Sequence, residues 1–128
     1  MIESALLTQM LATSALTNLV GQRIYYSNAP QHVDKPYIVF FKISGKRDQT
    51  QTAAMAFCNA SIQFSVFAET YTSAKAVAAQ IQALFQSYSG TLSSTHINAA
   101  FYDNETDFYE QDTQLHHIAL DFSFCYEE

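Results

Sequence analysis

The chain has 128 residues, 48% of them apolar and 14% charged, with a net charge of −6. This length suits one domain around one core, and the apolar content excludes the low-hydrophobicity, high-charge regime that keeps chains disordered. Six basic residues in all, none beyond Lys75, exclude the clustered cations on which tight nucleic-acid binding depends.

Ile2, Leu6 and Met10, with Leu7 and Leu11, repeat at four-residue steps, and Leu16, Leu19 and Val20 continue the stripe, so residues 2–20 predict one helix. Glu3 suits the positive end of its dipole, and Gly21 stands where a left-handed C-cap is expected. An acidic residue before the apolar stretch, without a basic n-region, is not the pattern of a secretory signal. No run approaches the roughly 18 apolar residues of a membrane span.

A short strand, residues 23–26, precedes a loop containing Pro30 and ending against Pro36. The next strand, Tyr37 to Ser44, carries apolar side chains on both faces, which implies cover from both sides. Cys58 to Glu69 alternates, with Ala60, Ile62, Phe64 and Val66 pointing one way and Ser61, Gln63 and Ser65 the other. Thr70, Thr72 and Ser73 offer N-caps for a helix to about Tyr88, striped by Ala74, Val77, Ala78, Ile81, Leu84 and Phe85 and stopped by Gly90. Strands at 96–102 and 116–127 close the chain, separated by an acidic segment from Asp103 to Gln114. In the last strand, Ile118, Leu120, Phe122, Phe124 and Tyr126 face inward. The expected fold is α+β, a single domain over residues 1–128 in the order α-β-β-β-α-β-β, with an antiparallel sheet and two helices packed on one face.

Catalytic, cofactor and metal sets are not found. His116 and His117 are adjacent in a strand and leave opposite faces, while His117 and Asp121 lie roughly 13 Å apart along it. His32 and His96 have no partner at ligand spacing, and a zinc site needs three or four converging ligands. There is no GxSxG elbow or Gly-rich phosphate cradle. Cys58 and Cys125, without CxxC spacing, read as two half-buried thiols, with a disulfide between them as the alternative. Asp103, Glu105, Asp107, Glu110 and Asp112 lack the central Gly and terminal Glu of a calcium loop, so a solvated acidic loop is expected.

The excursion from Ser44 to Ala56 is longer than the two to five residues that hairpin turns prefer. Paired out and back, it would reach about 20 Å beyond the sheet at about 3.3 Å per residue. Long exposed loops on rigid scaffolds are recognition elements. Lys46, Arg47, Asp48, Gln49 and Gln51 are therefore the candidate interface residues, with an ordinary hairpin tip as the plainer reading.

Across nearly its whole length the chain resembles the tail-completion, or tail-terminator, proteins of long-tailed phages and prophages. The resemblance runs in order through Gly21-Gln22-Arg23-Ile24-Tyr25, Ala29-Pro30-Gln31, Pro36-Tyr37-Ile38-Val39, Ile43-Ser44-Gly45 with Arg47-Asp48, the strand ending Ala68-Glu69-Thr70-Tyr71, the helix from Ala74 to Phe85, and Leu120-Asp121-Phe122 with Tyr126. His116-His117 departs from it, a basic residue being expected there.

The resemblance implies a structural virion protein, not an enzyme, that forms a homo-oligomeric ring, usually a hexamer, at the head-proximal end of the tail. Such a ring binds the last layer of tail-tube protein, stops its polymerisation, and offers its other side to a head-completion protein. DNA passes through the lumen without specific binding, no membrane is involved, and assembly takes place in the bacterial host cytoplasm. A low-charge, Tyr-rich surface agrees with permanent interfaces, where aromatic residues are enriched and Lys and Glu depleted. The alternative within this class is another head–tail connector or a tail-tube protein on a related fold; outside it, a small hydrolase or metal-dependent enzyme.

Overall fold

The computed structural model describes residues 2–49, 56–92 and 95–127, with side chains except at 46–49 and 56–58. The expected first helix forms as two, α1 (Ile2–Leu11) and α2 (Ser14–Val20). Thr13 breaks it. Its backbone is extended (φ −94°, ψ 105°) and its hydroxyl donates to the carbonyl of Gln9 at 2.8 Å, as Thr8 does to Ser4 within α1. Ile2, Leu6, Met10, Leu16 and Val20 are all buried, whereas Leu11 and Leu19 of the expected stripe are exposed. Gly21 follows with φ 61° and ψ −131°. The positive φ still selects glycine, but the cap is not the left-handed helical one expected.

β1 (Ile24–Tyr26) pairs in parallel with β2 (Tyr37–Gln49), Tyr25 lying opposite Val39. This corrects the all-antiparallel expectation: the loop at 27–36 carries the chain back alongside β1, so the two strands run in the same direction instead of forming a hairpin. β2 continues well past Ser44, and β3 (Ala56–Ala68) returns antiparallel to it, with a register shift between Lys42 and Ser44.

α3 (Tyr71–Phe85) begins at Thr70, whose side chain accepts from the Ser73 amide at 3.1 Å, a side-chain N-cap. It buries Ala74, Val77, Ala78, Ile81 and Phe85. Its end comes earlier than expected, where Ser87 takes a positive φ of 59°. Gly90 opens an unexpected strand, β4 (Gly90–Leu92).

The largest difference lies in the acidic segment. It is not a loop: β5 runs unbroken through it (Thr95–Glu110) and pairs antiparallel with β6 (Leu115–Glu127), leaving Asp112 in the turn. Tyr102, Thr106, Phe108 and Tyr109 are good strand formers, and β6 supplies the ladder that keeps the intervening Asp103, Asn104, Glu105 and Asp107 extended.

The sheet order is β1-β2-β3-β6-β5-β4. The sheet curls enough that α1 touches both β1 and β4, while α3 packs on β3, β5 and β6 and against α2. Among the described residues three helices, not two, thus accompany a six-stranded mixed sheet, and the class remains α+β. Phe64 of β3 sits at the centre of the core, its ring 5.6 Å from Phe40, 5.3 Å from Phe85, 5.6 Å from Phe122 and 6.5 Å from Phe124. The expected inward sets of β3 and β6 are buried here. Among the described residues no helix is long and apolar enough to cross a membrane.

Candidate assembly surface

Alternation puts a second set of side chains on the face that turns away from α3 and the Phe64 core. The register sets Tyr37, Phe67, His117 and Phe108 directly opposite one another on four consecutive strands. Their rings form a transverse row. Tyr37 stacks on Phe67 at 5.0 Å and 17°, Phe67 on His117 at 4.3 Å and 20°, and His117 meets Phe108 at 5.3 Å and 37°. A hollow of about 450 Å³ lies beside this row, walled by Pro30 and floored by Val39, Ser65 and Phe67. Phe41, Phe108 and Phe101 extend the apolar surface, and Phe101 is 58% exposed.

The same face also carries polar side chains, Ser61, Gln63 and Ser65 of β3 and Asp121 and Ser123 of β6 among them. Asp121 accepts from Gln63 at 3.0 Å, and Asp103 accepts from the hydroxyl of Ser123. A smaller hollow of about 220 Å³ lies between Ser44, Asn59, Ser61 and Ser123. Nδ1 of His117 is 3.6 Å from Glu110, while its Nε2 is buried without a hydrogen-bond partner. Burial lowers the His117 pKa against the opposing pull of Glu110, so the neutral imidazole is the favoured form. Burial, then the Glu110 charge, raises the pKa of Tyr37.

On the other face, β5 meets the start of α3 through charge. Lys75 lies 3.4 Å from both Glu105 and Asp107, and Tyr71 donates to Asp107 at 2.9 Å. Burial pulls the Lys75 pKa down, but the Tyr71 hydrogen bond and the two carboxylates outweigh it and raise it. His116 packs between Tyr71 and Tyr109, at ring distances of 5.8 and 4.9 Å. The paired histidines therefore do leave opposite faces, each into aromatic surroundings. His96 Nδ1 lies 2.8 Å from the Thr91 hydroxyl on the β4–β5 pair, and His32 sits in the loop with a positive φ of 60°. Among the described residues no three His, Cys, Asp or Glu side chains converge to hold a metal ion. Cys125 is a free thiol; the register sets it opposite Asn59, and Cys58 opposite Tyr126.

Of the candidate interface residues, Lys46, Arg47, Asp48 and Gln49 continue β2 opposite Asn59, Cys58, Phe57 and Ala56. Gln51 lies outside the described residues. None of these belongs to the aromatic row, which sequence reading missed as a unit. Apolar residues on both faces of the second strand were its only signal.

A curled sheet with helices on one face and exposed phenylalanines, Phe41, Phe101 and Phe108, on the other is the pattern expected of a protein that makes protein–protein contacts. The comparisons agree with that class. Residues 4–127 match the family Tail completion protein gp17, and the chain belongs to this family of phage tail structural proteins. Its fold is similar to that of a chain in the virion of a native gene transfer agent particle, with a TM-score of 0.75 and 19% identity, over 95% of this chain and 92% of that one. Among curated proteins none matches significantly.

Proposed function

We propose that the chain forms a ring, a hexamer in this reading, at the head-proximal end of a phage tail, where it ends tail-tube polymerisation and provides the joint to the head. The observation that carries this reading is the bare aromatic face from Tyr37 to Phe108, in a chain of a tail-completion family. Exposed apolar surface of this kind marks a protein–protein contact.

Mechanism in this reading is geometric, not catalytic. A head-to-tail contact that closes by rotation makes a finite ring, and capping requires that the far side not repeat the surface offered by the tube. One side binds the last layer of major tail-tube protein and the other a head-completion, or stopper, protein. Lys46, Arg47, Asp48 and Gln49 at the end of β2, with Gln51 outside the described residues, supply polar anchors for a neighbouring protein. DNA crosses the lumen without specific binding, since an acidic chain with six cations offers little to phosphates. Assembly takes place in the host cytoplasm.

The test is charge reversal, K46E with R47E, in the virus that encodes the chain. Tails of uncontrolled length, or heads without tails, are expected by electron microscopy. Normal virions would refute the anchoring role.

A further inference from the structure

The sheet leaves strand edges unpaired at two places. β1 covers the outer edge of β2 only opposite Ile38, Val39 and Phe40, and the Phe40 carbonyl accepts the last bond there, from the Ser27 amide. β4 covers the outer edge of β5 only opposite Thr95, His96 and Ile97, and the Ala100 carbonyl accepts from the Ser87 amide. Beyond these points, among the described residues, β2 pairs with β3 alone and β5 with β6 alone. Residues 41–45 of β2 and 101–110 of β5 are therefore open edge. Such an edge is a row of backbone donors and acceptors ready for another strand.

Both stretches are apolar, and they differ in charge. Of the exposed large apolar side chains, Phe41 and Ile43 lie on the first and Phe101, Phe108 and Tyr109 on the second. The first carries Lys42, which is exposed and has no ion pair among the described residues. The second carries Asp103, Glu105, Asp107 and Glu110 and no Lys or Arg. Like charges placed opposite each other destabilise strand pairs, so the acidic edge resists pairing with its own copy. Complementary potentials favour the unlike pair.

We propose that the open edge of β2 in one copy takes the open edge of β5 in a second copy as its next strand. The two run antiparallel, with Phe41 opposite Glu110 and Lys42 opposite Tyr109, and continue toward Gly45 and Asp107. β1 sets this register, because it fills the β2 edge as far as Phe40 and Glu110 is the last residue of β5. The faces agree. Lys42 pairs with the buried Ile62 and Tyr109 packs on His116, both on the helix side. Phe41 and Glu110 both belong to the bare side, the first beside the hollow and the second beside His117. Lys42 then meets the Tyr109 ring and, diagonally, Asp107, within reach for a long side chain. Because the two edges differ, the contact is heterologous, the kind that closes a ring by rotation. This rests on the ring reading above and names the edges that make it.

The test is a pair of cysteines, Phe41→Cys with Glu110→Cys, oxidised in the purified protein and run on a non-reducing gel. The wild type, run alongside, gives the background from Cys58 and Cys125. Opposed residues that exchange no hydrogen bonds have Cα atoms about 4.5 Å apart, within disulfide reach. A ladder of covalent multimers is expected from the double variant and from neither single one. Dimers from Glu110→Cys alone would show like edges pairing and overturn the contact. Alternation from Phe40 turns the Lys42 N–H away from β3, and proline is tolerated on such an edge. Lys42→Pro should therefore stay folded by its melting curve, yet fall to the 14.4 kDa monomer by light scattering. A folded Lys42→Pro of wild-type mass, or an oligomeric wild type whose double variant gives no ladder, overturns this contact while the ring stands. A wild type that stays monomeric at every concentration overturns both.

Discussion

The two faces of the sheet use the same residue types to different ends. On the helix side, Phe40, Phe64, Phe85, Phe122 and Phe124 are fully buried and interlock edge to face and in stacks. On the bare side, Tyr37, Phe67, His117 and Phe108 stack in one row across four strands, and Phe108 remains half exposed. Both sets come from simple alternation along the same strands. The first set is satisfied within the chain, whereas the second leaves Phe108, with Phe41 and Phe101 beside it, exposed. In the reading proposed above, stability and assembly fall on opposite parities of β2, β3, β5 and β6.

That separation predicts separable mutants. Phe64→Ala should cost about 3–5 kcal/mol of folding stability, the usual penalty for emptying an aromatic core position, measured by denaturant unfolding; a loss near 1 kcal/mol would mean that the core lies elsewhere. Phe67→Ala, between Tyr37 and His117 on the bare face, should cost only about 1 kcal/mol, yet weaken oligomerisation at temperatures where the monomer remains folded. If its stability loss matched that of Phe64→Ala, the distinction between faces would fail.

A finer effect is pH dependence. His117 has a folded pKa below its ordinary value because burial disfavours its charge. As pH falls through the ordinary histidine range the unfolded chain binds the proton first, so His117 contributes stability in full above that range and loses it progressively below. His117→Phe should keep the stacking and flatten this part of the stability-versus-pH curve, read as melting temperature between neutral and mildly acidic pH. An unchanged slope would show that the imidazole titrates freely. Smallest is Lys75→Ala, whose ion pairs are more than a third exposed on the lysine side: a loss within about 1 kcal/mol is expected, and a larger one would make the α3–β5 contact part of the core.

Much of this was legible in the residues. The inward sets of β3 and β6 and the stripe of α3 follow from periodicity alone, and the family follows from an ordered series of short segments. What escaped has identifiable physical causes. Thr13 interrupts a helix whose apolar spacing runs on through it: its backbone turns extended, while Leu16 and Val20 beyond the break are buried just as Ile2, Leu6 and Met10 are before it, so the periodicity carries no sign of the break. The acidic run from Asp103 to Glu110 resembles a loop in composition, but composition does not show that β6 lies beside it to hold it extended. The aromatic row depends on register between strands distant in sequence: nothing local to Tyr37 indicates Phe67, and nothing local to either indicates His117. The candidate interface residues Lys46 to Gln49 come from length and charge alone, and the register adds that they continue β2.

The most direct test of the central claim, that this chain acts by covering a growing structure, is to titrate it into polymerising tail-tube protein from its own virus and measure tube lengths by negative-stain microscopy. Elongation should stop wherever the chain binds, with a single ring at one tube end and lengths that shorten as its concentration rises. Tubes that grow on regardless, or that incorporate the chain throughout their walls, would contradict the account.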